Sequence, residues 1–168
     1  MGRIDETESP HLAIRAAQIL RRRIRIVGPV FDHTYIHRHE KLFAADHVEW
    51  TGELGGPAKT AAFRNAAASV YTYARPYEAG AAVFGESLRA GTPISALAWR
   101  KGTCAEAALC EKTGVVTGIS PEEDDESAAH SLASAIEVLS HDHAQVQDIG
   151  QQRFDLADHF DALATRPC

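Results

Sequence analysis

The chain has 168 residues, of which 45% are hydrophobic, and its 17 Lys and Arg against 23 Asp and Glu give a net charge of −6. This length fits one domain with its own core, and the acidic balance argues against nucleic acid as the main partner. No apolar run approaches the roughly 20 residues that span a membrane, no charged-then-apolar leader opens the chain, and Cys104, Cys110 and Cys168 fit no zinc or redox spacing, so a cytoplasmic setting is expected.

In chain order, Leu12-Ala13-Ile14, Ala16-Ala17 and Ile19-Leu20 give a helix face that ends in Arg21-Arg22-Arg23, the only basic run. Ile24 to Gly28 reads as a short strand, Tyr35 to Ala45 as a helix and His47 to Trp50 as a strand. A helix over Ala58 to Ala68 leads into a strand over Ser69 to Tyr73. The run Tyr77 to Pro93 is loop, then helix, and carries Glu78 and Glu86 with seven residues between them; Ile94 to Ala98 and Gly114 to Thr117 follow as strands. Ser120, Pro121 and Glu123 form a capping-box start for a helix through Leu139, and a last helical segment covers about Ala144 to Leu163.

Strands alternating with helices predict an α/β chain: a single Rossmann-like domain with a parallel sheet of about six strands and helices on both faces. Ligands of such sheets lie beyond the carboxyl ends of the strands. The loops there are Pro29–Asp32, Gly52–Pro57, Ala74–Gly80 and Trp99–Glu106, and they should converge on one crevice. His33, His37 and His39 have metal-like spacing without an obvious third ligand, so a solvated helix face is expected. Ser120 and Ser140 lack the context of a nucleophile elbow.

The Glu-x7-Glu run resembles that of family 4 retaining glycosyltransferases of GT-B fold, and the likeness extends over nearly the whole chain. Gly2-Arg3-Ile4-Asp5 followed by Pro10 to Ile14 resembles the opening of their C-terminal, donor-binding domain. Gly28 to Asp32, Trp50 to Leu54 with Lys59, and Gly102 to Glu106 resemble further segments in the family's order. The resemblance implies that Arg3 neutralises charge on the leaving group, that Glu78 sits by the transferred hexose and that Glu86 binds the ribose hydroxyls. It also implies that the backbone around Gly80, Ala81, Ala82 and Val83 faces the diphosphate, and that Gly2 and Gly52-Glu53-Leu54 border the donor. No metal or cofactor is implied beyond the nucleoside diphosphate sugar.

Three departures stand out. Where the family carries a phosphate-contacting lysine, this chain has Glu8 or, with a one-residue shift, Ser9; Arg100 or Lys101 are the candidates to substitute. Ala81 stands where the family favours glycine. Met1 falls at the end of a family strand, so 1–168 reads as the donor domain alone, with the N-terminal acceptor domain absent from this chain. An excised domain, one half of a split enzyme and a degenerate module all remain open at this point. The expected function is the donor-binding half of a retaining enzyme that moves a hexose from a nucleoside diphosphate sugar, binding nucleotide but transferring little alone. The alternatives are a non-catalytic nucleotide-sugar binding or interaction subunit and half of a sugar-nucleotide epimerase. An acceptor-domain partner or self-association is expected.

Overall fold

The computed structural model describes residues 1–73, 82–99, 103–110, 113–118 and 124–141. Helix α1 (Pro10–Ile19) leads into β1 (Ile24–Val27), which pairs in parallel with β2 (Val48–Gly52). Between them lie the short helices α2 (His33–Arg38) and α3 (Glu40–Phe43). Helix α4 (Gly56–Arg64) joins β2 to β3 (Ser69–Tyr71), and α5 (Ala82–Arg89) precedes β4 (Ile94–Ala98). Helix α6 (Cys104–Ala108), β5 (Gly114–Gly118) and α7 (Asp125–His141) complete the described elements. The order β3-β4-β5 is parallel throughout.

β4 explains why helices cover both faces. All five of its residues are buried, and alternate side chains point opposite ways. Leu97 packs with Leu12 and Ala16 of α1 and with Ala128, Leu132, Ala133 and Ile136 of α7. Ile94 and Ala96 pack with Phe84 and Leu88 of α5 and Ala105 of α6. Each fully buried Leu, Ile or Phe contributes about 1.5–3 kcal/mol to this core. A third cluster, Ile4, Ile14, Ile26, Tyr35 and Phe43, fastens α1, α2 and α3 over β1.

The α/β class with parallel strands and flanking helices is as expected, but the sheet differs. Among the described residues five strands form two sheets, β1-β2 and β3-β4-β5, where one sheet of about six was expected. Met1 to Ile4 meets β1 at its carboxyl end, through Gly2 N–H to Val27 O (3.0 Å) and an isolated bridge between Ile4 and Val30. Below that contact, a cavity of about 450 Å³ separates β1 from β3.

The helix expected over Tyr35 to Ala45 is broken at His39, which ends α2 and begins α3. Its backbone leaves the helical region there (φ −109°, ψ 20°), and its ring stacks on that of His11, 4.3 Å between centroids. Asp32 Oδ1 caps α2 by accepting from Thr34 and Tyr35 N–H. Thr103 and Glu106 form a capping box that makes α6 a helix where only a loop was expected. The expected cap at Ser120, Pro121 and Glu123 and the expected helix over 144–163 lie outside the described residues; Asp124 Oδ1 accepts Ser127 N–H at the start of α7.

Candidate functional site

The carboxyl ends of β1 and β3 meet one segment, residues 2–8. Val27 O accepts from Gly2 N–H, and Thr72 Oγ1 donates to Glu8 O at 2.7 Å. Gly28 allows this closeness. It has φ +145°, and a Cβ there would overlap the Gly2 carbonyl oxygen, so only glycine lets β1 seat Gly2 and Arg3 at the crevice.

Arg3 is half-exposed and held by carboxylates. Its Nε lies 3.6 Å from Asp5 Oδ2 and its Nη2 3.9 Å from Glu8 Oε1. On the other side its guanidinium carbon stands 5.5 Å from the ring centre of Phe31, a cation–π arrangement. The Phe31 ring is 63% exposed, a large apolar group offered at the mouth. Glu8 points inward: a Cβ on Gly2 would stand 3.2 Å from its Oε2. The departure from the expected lysine is therefore a carboxylate beside Arg3 and not one turned to solvent.

Glu86 lies on α5, whose opposite side is buried through Phe84 and Leu88. The helix is fixed near its end by Ser87 Oγ, which meets Ser69 Oγ at 2.7 Å and donates to Thr92 O at 2.9 Å. Glu86 is thereby held towards α4, where Lys59 Nζ donates to its Oε1 at 2.6 Å. Lys59 carried no separate role in the sequence reading. Its signal was available only as one cation four residues past Gly55 on a helix, and spacing cannot say that this helix leans on α5. The Met1 amino group lies close by. Its pKa is lowered by burial first, raised by Glu8 and lowered by Lys59.

The other expected site residues fall as follows. Gly52 closes β2 with φ +70° and its carbonyl accepts Gly28 N–H at 2.8 Å; Glu53 and Leu54 follow in the loop at the same end. Ala82 and Val83 open α5. Glu78, Gly80, Ala81, Arg100 and Lys101 lie outside the described residues. Among the described residues no group of three His, Cys, Asp or Glu is placed to hold a metal ion, and no helix is long and apolar enough to cross a membrane.

A second polar cluster lies away from the crevice. Asp125 Oδ2, 3.1 Å from His11 Nε2, accepts there and so places the proton of the neutral ring on Nε2. Nδ1 is then left to accept from Tyr35 Oη at 2.7 Å, while Tyr35 Oη accepts the His11 backbone N–H at 3.0 Å. Burial lowers the pKa of His11 and His39, and burial raises that of Tyr35. His39 is thus a packed ring and not part of a solvated face, whereas His37 is exposed and 3.8 Å from Glu40.

The chain is similar in fold to several solved structures. It overlays on the GtfA/B complex with a TM-score of 0.73 at 14% identity, covering 95% of this chain and 32% of that one. It overlays on HepE of Anabaena, solved with UDP, with a TM-score of 0.68 at 18% identity, covering 97% and 46%. For the C-terminal domain of the group 1 glycosyl transferase LpcC of Francisella tularensis the TM-score is 0.63 at 15% identity, covering 95% and 82%. The chain thus spans a third to a half of the first two structures and most of the isolated C-terminal domain. A comparison with curated proteins returns no match. Residues 1–152 match the family described as Glycosyl transferases group 1, and the chain belongs to that family.

Proposed function

We propose that residues 1–168 are the donor-binding domain of a retaining, metal-independent glycosyltransferase that draws a hexose from a nucleoside diphosphate sugar. The observation that carries this reading is the Lys59–Glu86 pair between α4 and α5, with Arg3 held near the carboxyl end of β1. A carboxylate with two acceptor oxygens suits the vicinal hydroxyls of a ribose. Two cations within the same crevice suit a diphosphate, and the first N–H groups of α5 add donors without a metal. Arg3 would stabilise the leaving diphosphate, and Glu78 would stand by the hexose. The likeness to HepE, solved with UDP, supports a nucleotide ligand.

Titration calorimetry with uridine, guanosine and adenosine diphosphates tests it. One of the three should bind with a Kd on the order of 10 μM to 1 mM, and the acceptor side would come from a second domain or subunit. Absence of heat with all three would leave the second reading, a non-catalytic interaction subunit. That reading has its own support in Asp5 and Glu8, which occupy the guanidinium that the transfer reaction needs.

A further inference from the structure

Lys59 and Glu86 face each other because α4 and α5 are fastened to one residue. Thr92, buried just before β4, donates from Oγ1 to Phe63 O near the end of α4 at 2.7 Å. Its N–H donates to Ser87 O of α5 at 2.9 Å, and its carbonyl accepts Ser87 Oγ at 2.9 Å. Ser87 is fully buried and its hydroxyl also meets Ser69 Oγ at the start of β3. Both helices are thereby fixed to the β3-β4 edge and to each other.

That scaffold aims the two charges. On α4 the neighbours Ala58 and Thr60 are exposed, whereas Lys59 is partly covered and lies one turn before the buried Phe63. Lys59 therefore stands on the inward face of its helix, since residues four apart share a face. On α5, Glu86 lies between the buried Gly85 and Ser87. Lys59 Nζ donates to Glu86 Oε1 at 2.6 Å, and among the described residues Oε2 receives no hydrogen bond. The pair is part-exposed, and pairs of this kind contribute little to stability. What the ammonium fixes is direction. A glutamate has three side-chain rotors, and an unheld one loses rotamer freedom each time it binds a ligand.

We propose that Lys59 is a positioning residue of the donor site: it pins Oε1 so that Oε2 and the remaining lone pair of Oε1 meet the 2′- and 3′-hydroxyls of a ribose. The site then selects ribonucleoside diphosphates over 2′-deoxyribonucleoside diphosphates. This inference rests on the donor-binding reading above. The other role open to the same ammonium, a cation for the diphosphate, draws no distinction between the two sugars, because both ligands carry the same phosphates.

Titration calorimetry on the unmodified chain and on Lys59→Met separates the two roles. The ligands are uridine, guanosine and adenosine diphosphates and their 2′-deoxy counterparts. Methionine keeps an unbranched stem and removes the ammonium. The unmodified chain should bind the ribose form at least about tenfold more tightly than the deoxyribose form, the effect of one hydrogen bond to a charged acceptor. In Lys59→Met that ratio should fall to about twofold or less, with the melting temperature hardly changed. An equal loss for both ligands, with the ratio intact, overturns the proposal and makes Lys59 a phosphate cation. Equal binding of both forms by the unmodified chain overturns it as well, while nucleotide binding itself stands. Absence of heat with every nucleotide sinks the donor reading and this inference together.

Discussion

At the scale of single residues the site turns on which charges face each other. Glu86→Ala should weaken nucleoside diphosphate binding by about 1.5–3 kcal/mol, the range for hydrogen bonds to a charged group. Its pair with Lys59 is part-exposed, and such pairs contribute about 0–1 kcal/mol, so the melting temperature should hardly move. Calorimetry and a thermal melt on the same preparation check both halves of that statement. Glu8→Gln keeps the size of the side chain and removes the charge near Arg3. Diphosphate affinity should rise by up to about tenfold at low salt, and the gain should shrink as salt screens the crevice. Unchanged affinity at low salt would mean that the diphosphate does not approach Glu8. Gly28→Ala tests the seating of Gly2 and Arg3. Positive φ alone costs a side chain about 1–3 kcal/mol, and the overlap with the Gly2 carbonyl adds to it, so the urea midpoint should fall clearly. The roles of Gly2, Arg3 and Glu86 were suggested by resemblance, and the sequence placed them in order. That Glu8 turns towards Arg3 and that Lys59 reaches Glu86 depend on side-chain directions across elements, which spacing does not encode.

At the scale of elements, α1, α2 and α7 are joined through one imidazole. His11 faces Tyr35 from α2, His39 from the α2–α3 junction and Asp125 from α7, with Glu6 acting on it from the preceding segment. Burial holds its pKa below the ordinary imidazole value, with His39 adding to the lowering and Asp125 and Glu6 opposing it. His39 is lowered as well, by burial first. The folded chain then binds fewer protons than the unfolded chain just below the ordinary value of about 6.5. Stability is therefore full above that pH and is lost as pH falls through it towards the lowered folded values. Urea midpoints at pH 7.5 and 5.5 should show the drop, and His11→Phe should flatten it while lowering stability at both. A flat profile in the unmodified chain would mean that His11 takes up its proton without loss. The five strands were legible from their apolar runs and Gly or Pro boundaries, each within a few residues. The break at His39 was not, because helical periodicity runs straight through it. The helix α6 was missed for a local reason, since Thr103 and Glu106 have the spacing of a capping box within a segment read as a loop.

At the scale of the whole molecule, strand–helix alternation gave the class and the direction of the strands. It gave one sheet where there are two, because alternation counts elements and does not measure whether neighbouring ladders touch. The weak nucleotide affinity expected above belongs to this scale too: a crevice lined from one domain encloses a ligand less than one closed from both sides, and adding the acceptor-side partner should tighten it. The division between β1-β2 and β3-β4-β5 has a further consequence for how the chain comes apart. Among the described residues no hydrogen-bonded ladder runs from one sheet to the other. Their coupling passes through residues 2–8, which bond Val27 O and Thr72 Oγ1, and through α1, which gives Leu12 and Ala16 to α7 and β4 and gives Ile14 to β1. Such ties are weaker than a continuous sheet, so the β1-β2 half should open without the rest as a separate cooperative unit. Denaturation would then be broad, with an apparent m-value too small for a domain of this size. Whatever bridges the two halves would merge the units into one, and the transition would sharpen even where its midpoint moved little.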